Sequence, residues 1–136
     1  MRPRSTRVGD QVKQGQQIRV AVVGPCAAGK STLIPYLASA GYEARHPAQE
    51  HSYVQDMWQR VTKPDVLIFL DVSYEEARRR RPTIDGGPQR LAAQQERLAH
   101  ARQNCDFYLD TSPLSRAEVR QAVFQFLGEP IPEEPA

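Results

Sequence analysis

The chain has 136 residues, of which 40% are hydrophobic and 25% are charged, as is usual for one globular domain. No apolar stretch approaches the length of a membrane span, which excludes a membrane-spanning protein. The net charge of +2 is too small to indicate nucleic acid as the main partner. The N-terminus lacks the apolar run of a signal peptide, and two cysteines give no disulfide framework, so we expect a cytoplasmic protein. Nothing in the pattern indicates an oligomeric state.

Polarity divides the chain into three parts. Residues 1–17 are polar and aperiodic, and we predict a flexible basic N-terminal tail. Residues 18–127 carry the apolar patterning of a folded domain. Residues 128–136 contain three prolines and three glutamates, which predicts a flexible acidic tail.

The first element of the domain is a β-branched apolar run at residues 18–23, which predicts a buried parallel strand. It leads into the sequence GPCAAGKS at residues 24–31, and then into a helical pattern that ends near Gly41. A strand, a G-x-x-x-x-G-K-S loop and a helix in this order are typical of a phosphate-binding loop, or P-loop. We therefore predict that residues 18–127 form a P-loop domain that binds a nucleoside triphosphate with Mg²⁺.

The chemistry of that loop predicts a role for each of its residues. Glycines allow the backbone to approach the phosphates, so that successive N–H groups point into one concavity at the start of the helix. Lys30 supplies a charge for the β- and γ-phosphates, the Ser31 hydroxyl is a Mg²⁺ ligand, and Thr32 reaches an α-phosphate oxygen. The predicted nucleotide contacts in this segment are Gly24, Ala27, Ala28, Gly29, Lys30, Ser31 and Thr32.

A short second strand is predicted within residues 42–47, and polar residues follow it. In a parallel sheet this position lies at the edge where ligands bind, so Glu50 is a candidate general base for an acceptor hydroxyl. The alternative interpretation is a polar loop that precedes a helix packed on the sheet. The pattern does not decide between the two for Glu50.

The next strand, residues 65–72, contains a buried apolar run that ends at Asp71. At the same sheet edge Asp71 is a candidate ligand for Mg²⁺ or its water shell, or alternatively a residue that only helps the next helix begin. That helix ends in four consecutive arginines, residues 78–81. We interpret this segment as a mobile flap from which Arg78 or Arg81 reaches the phosphates, the alternative being a solvated helix end.

The remaining pattern predicts a loop at residues 83–87, a long helix from Pro88 to about Gln103, a strand at residues 105–110 and a capped last helix from Ser115. Strands that alternate with helices and lack hairpin signals indicate parallel pairing. We therefore expect an α/β fold, a three-layer sandwich with a short, mostly parallel sheet of about four strands.

Taken together, the GPCAAGKST loop, the strand and helix from Pro64 to the arginine run, and the segment DFYLDT at residues 106–111 resemble the P-loop kinases of the nucleoside and nucleotide kinase superfamily. The resemblance covers roughly residues 18–127. It implies an arginine-bearing lid, and it implies that Thr111, Ser112 and Pro113 line the adenine. The chain lacks the usual acceptor-binding insert and one strand, since only about twenty residues separate Pro47 from Val66.

Two functions follow as expectations. The first is a small kinase that transfers the γ-phosphoryl group of ATP, favoured over GTP, to a small-molecule acceptor. The second is a nucleotide-dependent regulatory or GTPase-like module without kinase activity. The arginine run favours the kinase, because a switch protein has less need of several lid cations.

Overall fold

Two buried strands form the centre of the sheet. In the computed structural model, which describes residues 17–83 and 86–135, β1 (Arg19–Val23) pairs in parallel with β3 (Val66–Asp71). Every residue of β3 is buried, as its unbroken apolar run requires. Short strands flank this pair: β2 (Glu43–Arg45) lies beside β1, and β4 (Phe107–Asp110) lies beside β3.

The sheet has the order β2-β1-β3-β4, and all three pairings are parallel. The expectation of an α/β fold with about four parallel strands is therefore confirmed. The carboxyl ends of the strands all meet at one edge of such a sheet, which is where the segments after β1, β2, β3 and β4 come together.

Helices cover both faces of the sheet. α1 (Lys30–Ser39) and α6 (Arg116–Leu127) pack on the face that contains Val20 and Val22 of β1. α2 (Met57–Thr62) and α5 (Ala99–Asn104) pack on the opposite face, against Ala21 and Val23. Because alternate residues of a strand face opposite sides, the apolar run of β1 serves two cores, and the result is consistent with a three-layer sandwich.

Two further helices and a short 3-10 helix complete the fold. α3 (Tyr74–Arg80) begins at Ser73, whose side chain accepts a hydrogen bond from the Glu76 backbone N–H. The single helix predicted from Pro88 is divided at Leu98 into α4 (Gly87–Arg97) and α5. Leu98 is fully buried against the sheet, and this tertiary packing accompanies the interruption. A short 3-10 helix (Gln49–His51) follows β2.

Neither of the two predicted tails contributes a helix or strand to the described residues. The N-terminal tail, predicted as residues 1–17, lies outside the described residues except for its last residue. Residues 129–135 contain no helix or strand, and the prediction that they are flexible stays a prediction. None of the helices within the described ranges is both long and apolar enough to cross a membrane.

Candidate functional site

The glycine loop, residues 24–29, connects β1 to α1 and approaches β3 closely. A Cβ atom on Gly24 would overlap the carbonyl oxygen of Leu70, so only glycine fits at this position. Ala27 and Gly29 have positive φ angles of 70° and 103°. Gly29 is the N-cap of α1, and the loop thus turns its backbone around the N-terminus of that helix.

Lys30, the first residue of α1, folds back onto the loop that precedes it. Its Nζ donates hydrogen bonds to the carbonyl oxygens of Gly24 and, at 3.5 Å, Pro25. It also forms an ion pair with Glu50, in which Nζ lies 2.5 Å from Oε2. The side chains of Lys30 and Glu50 are 9% and 7% exposed, so this is a buried pair. Removing one partner of such a pair leaves an uncompensated buried charge.

Glu50 is held in place by its neighbour Gln49 in the 3-10 helix. The fully buried Gln49 side chain accepts a hydrogen bond from the Trp58 backbone N–H and donates to the carbonyl oxygens of Val54 and Arg97. Arg97 in turn donates to the Glu50 carbonyl oxygen at 3.3 Å. These contacts anchor the 3-10 helix to α2 and α4, so the Glu50 carboxylate is positioned by packed elements and not by a free loop.

The arginine run at the end of α3 contains one residue that bridges three elements. Arg80 donates from Nη1 to the Ala27 carbonyl oxygen and to Thr111 Oγ1, and from Nη2 to the Thr111 carbonyl oxygen. Its Nε donates to Glu76 at 3.0 Å. Arg80 therefore ties α3 both to the glycine loop and to the end of β4.

Glu76 pairs with Arg79 as well as with Arg80. The hydrogen bond from Arg79 is the main cause that lowers the pKa of Glu76 to about 2, and the same contact raises the pKa of Arg79. Glu76 is thus a carboxylate at neutral pH. It offsets part of the positive charge of the arginine run.

A cavity of about 510 Å³ lies between the glycine loop, the end of α3 and the start of α6. Its lining carries five basic side chains against two carboxylates, so the cavity favours an anion. Lys30, Arg79 and Arg80 are in ion pairs, whereas Arg81 and Arg116 form none with residues in the described part of the chain. The lining residues are Cys26, Ala27, Ala28, Gly29, Lys30, Ser31, Thr32, His46, Glu50, Glu76, Arg79, Arg80, Arg81, Leu114, Ser115, Arg116 and Val119.

Most of the residues predicted from the loop motif meet in this cavity. Residues 27–32 line it together with Glu50 and Arg81. Gly24 is buried beneath the loop, against β3. Arg78 is exposed and is not among the lining residues, whereas Arg79 and Arg80, which were not singled out, are. An arginine run does not reveal from sequence which members face a ligand.

Asp71 is not brought to the cavity lining. Its Oδ1 accepts a hydrogen bond from the Val72 N–H, and its Oδ2 accepts one from the Tyr108 hydroxyl at 2.6 Å. Gln95 lies 3.4 Å from Oδ1. Burial and the Asp71 carboxylate together raise the pKa of Tyr108 to about 12. Of the two predicted metal ligands, only Ser31 is among the residues that line the cavity.

In the turn after β4, Thr111, Ser112 and Pro113 are not among the residues that line this cavity, and their contact with adenine stays a prediction. Thr111 is fully buried, and its Oγ1 lies 2.9 Å from the carbonyl oxygens of Ala28 and Asp71. Ser112 Oγ donates to Asp110 at 2.7 Å, which is the main cause that lowers the pKa of Asp110. Pro113 is exposed. The residues of this turn that line the cavity are Leu114, Ser115 and Arg116.

Two residues near the loop carry contacts that sequence reasoning did not predict. The buried Gln94 side chain of α4 accepts a hydrogen bond from the Cys26 N–H at 3.0 Å, and its Nε2 lies 3.5 Å from Cys26 Sγ. His51 Nε2 lies 3.9 Å from the same Sγ. Only the pairing of distant segments in space brings these groups together, so no local pattern could have revealed them.

Comparisons with known proteins give no family for this chain. No protein-family model matches it, and no curated protein matches it significantly.

Proposed function

We propose that this protein binds ATP with Mg²⁺ in the cavity beside the glycine loop and transfers its γ-phosphoryl group to a small-molecule acceptor. The observation that carries the proposal is the buried contact between Lys30 and Glu50 inside a cationic cavity. In this contact the candidate phosphate-binding lysine and the candidate general base lie 2.5 Å apart, beside a loop that has the P-loop sequence.

The ion pair suggests how the site would respond to a triphosphate. Glu50 is the counter-ion of Lys30 in this structure, and phosphate oxygens would take over that role. The carboxylate would then be released beside the transferred group, where it can accept the proton of an acceptor hydroxyl. Binding of the donor would in this way prepare the base.

The basic side chains of the lining would supply the remaining charge. Phosphoryl transfer spreads negative charge over the equatorial oxygens, and positioned cations stabilise it. Arg81 and Arg116 can turn to the phosphates without breaking an ion pair with any described residue. Mg²⁺ would neutralise charge on the β- and γ-phosphates when bound, and the Ser31 hydroxyl is the candidate protein ligand. For Asp71 the role of metal ligand stays a prediction.

The test is a phosphotransfer screen of the full chain with labelled ATP or GTP against nucleosides, nucleotides, sugars and other small metabolites. For an acceptor that is phosphorylated, Glu50→Gln should lower turnover by about 10²- to 10⁴-fold, the usual contribution of a general base. ATP affinity should remain the same or increase, because Lys30 loses a competing partner. The matched control is Glu75→Gln, which removes an exposed carboxylate of α3 and should leave turnover unchanged.

Two results would contradict the proposal. Normal turnover in Glu50→Gln would remove Glu50 as the base. Tight GTP binding without ATP binding or transfer to any acceptor would favour the regulatory, GTPase-like alternative instead.

A further inference from the structure

Three side chains of residue types that can bind a metal lie close together at the edge of the glycine loop. Cys26 comes from the loop itself, and Glu50 and His51 come from the 3-10 helix. One ligand atom from each residue lies within 4.8 Å of the other two. The distance from Cys26 Sγ to His51 Nε2 is 3.9 Å, compared with about 3.5 Å between sulfur and nitrogen ligands around a tetrahedral Zn²⁺.

Glu50 provides a second, independent sign of a missing ligand. Glu50 is 6% exposed, and its Oε2 pairs with Lys30. Its other carboxylate oxygen, Oε1, is buried without a hydrogen-bond partner among the described residues. An unsatisfied buried carboxylate oxygen is costly, so such an atom calls for an explanation. A cation held by Oε1 would satisfy it and leave the pair with Lys30 intact.

The chemistry of the donors selects the cation. A thiolate and an imidazole are poor ligands for Mg²⁺ or Ca²⁺, which prefer oxygen, but they suit borderline-soft ions. We propose that Cys26, Glu50 and His51 bind one Zn²⁺-type divalent cation, with water in the fourth position. This site is separate from the one at Ser31 that would hold the Mg²⁺ of ATP.

The position of the site gives it a consequence that rests on the proposed function. Glu50 cannot hold a cation and act as general base at the same time, so occupancy by Zn²⁺ should inhibit phosphoryl transfer. The binding of the cation itself does not depend on that function. It can be measured without nucleotide.

The primary test uses the full, reduced chain with Zn²⁺ or Co²⁺ and no nucleotide. Competition with a chromophoric chelator should give one Zn²⁺ per chain. Co²⁺ should produce the near-ultraviolet charge-transfer absorption of a thiolate ligand. Absence of that absorption on the unmodified protein would overturn the proposal, whatever the variants do.

Matched variants then locate the site. Loss of an outer-shell partner weakens metal binding by roughly 10- to 100-fold. Cys26→Ser and His51→Ala each remove a direct ligand, so each should weaken Zn²⁺ binding by more than that. Cys105→Ser removes the other cysteine, and His46→Ala removes a different cavity histidine; both should bind Zn²⁺ as the unmodified protein does. Full affinity in Cys26→Ser, or loss of affinity in Cys105→Ser, would contradict the assignment.

The two proposals fail in different ways. Zn²⁺ binding without any phosphotransfer would leave the metal site standing and remove the kinase. Phosphotransfer that depends on Glu50, in a protein that shows no thiolate band with Co²⁺, would support the kinase and contradict the metal site.

Discussion

Individual side chains at the carboxyl edge of the sheet fall into two groups that face different ways. Lys30, Glu50, Arg79 and Arg80 line the cavity, whereas Asp71 is engaged with Tyr108 and Gln95 away from its lining. The candidate base and the candidate metal ligand are thus in different surroundings. Glu50 is in a buried ion pair with Lys30, and Asp71 accepts a hydrogen bond from the Tyr108 hydroxyl.

The pairing of Tyr108 with Asp71 predicts a stability change at alkaline pH. The folded pKa of Tyr108, about 12, lies above the ordinary value of about 10, so the phenol contributes stability below about pH 10 that is lost as the pH rises towards 12. Relative to Tyr108→Phe, the unmodified protein should therefore lose urea resistance over this interval. Asp71→Asn should move the phenol titration back towards its ordinary range.

Tyr53→Phe is the control, since it removes an exposed phenol that has no contact with Asp71. A Tyr108 titration that is unchanged in Asp71→Asn would contradict the contribution of that carboxylate to the raised pKa.

Among the elements, the glycine loop and β3 are the most closely fitted. Gly24→Ala should destabilise the fold by more than about 3 kcal/mol, because the new methyl overlaps the backbone of Leu70 and the central strand cannot move away cheaply. Gly41→Ala is the matched control, as Gly41 also has a positive φ but has no atom within 4 Å of the added Cβ. It should cost only the backbone strain, about 1–2 kcal/mol.

Urea unfolding of the two variants separates the steric term from the backbone term. Equal losses of unfolding free energy would show that the close approach of the loop to β3 does not limit the residue at position 24. A larger loss in Gly24→Ala, as expected, means that the loop is fixed on the sheet before any ligand binds.

An element could be predicted from the sequence when the residues that cause it are close together in the chain. The strands β1 and β3 and the serine cap of α6 could be predicted, because apolar periodicity and capping depend on residues close together in sequence. The break at Leu98 could not, because the burial that accompanies it depends on the sheet beneath.

The site divides in the same way. The motif alone predicted that residues 27–32 share one cavity, because the loop and the helix start are contiguous. The contacts of Thr111 with Ala28, Asp71 and Arg80 were beyond local pattern, since they join segments far apart in sequence. The grouping of neighbouring loop residues was therefore more predictable than the contacts that join distant segments around the cavity.

On the scale of the whole molecule, the cavity joins the segments that follow β1, β2, β3 and β4. A ligand in it would contact elements from across the sheet, so its binding should stabilise the entire fold and not one loop. This coupling offers a test of ATP binding that needs no acceptor, because a ligand that binds only the folded state raises its free energy of unfolding.

At a free ATP concentration about 100 times its Kd, with Mg²⁺ present, the gain is about 2.7 kcal/mol, which for a domain of this size raises Tm by about 10 °C. Lys30→Ala lowers the starting stability by about 3–5 kcal/mol, since it leaves Glu50 buried without its partner. The double variant Lys30→Ala, Glu50→Gln removes that charge and isolates the loss of the phosphate contact. Its Tm should not respond to ATP, and a full shift of about 10 °C in the double variant would show that the nucleotide binds elsewhere.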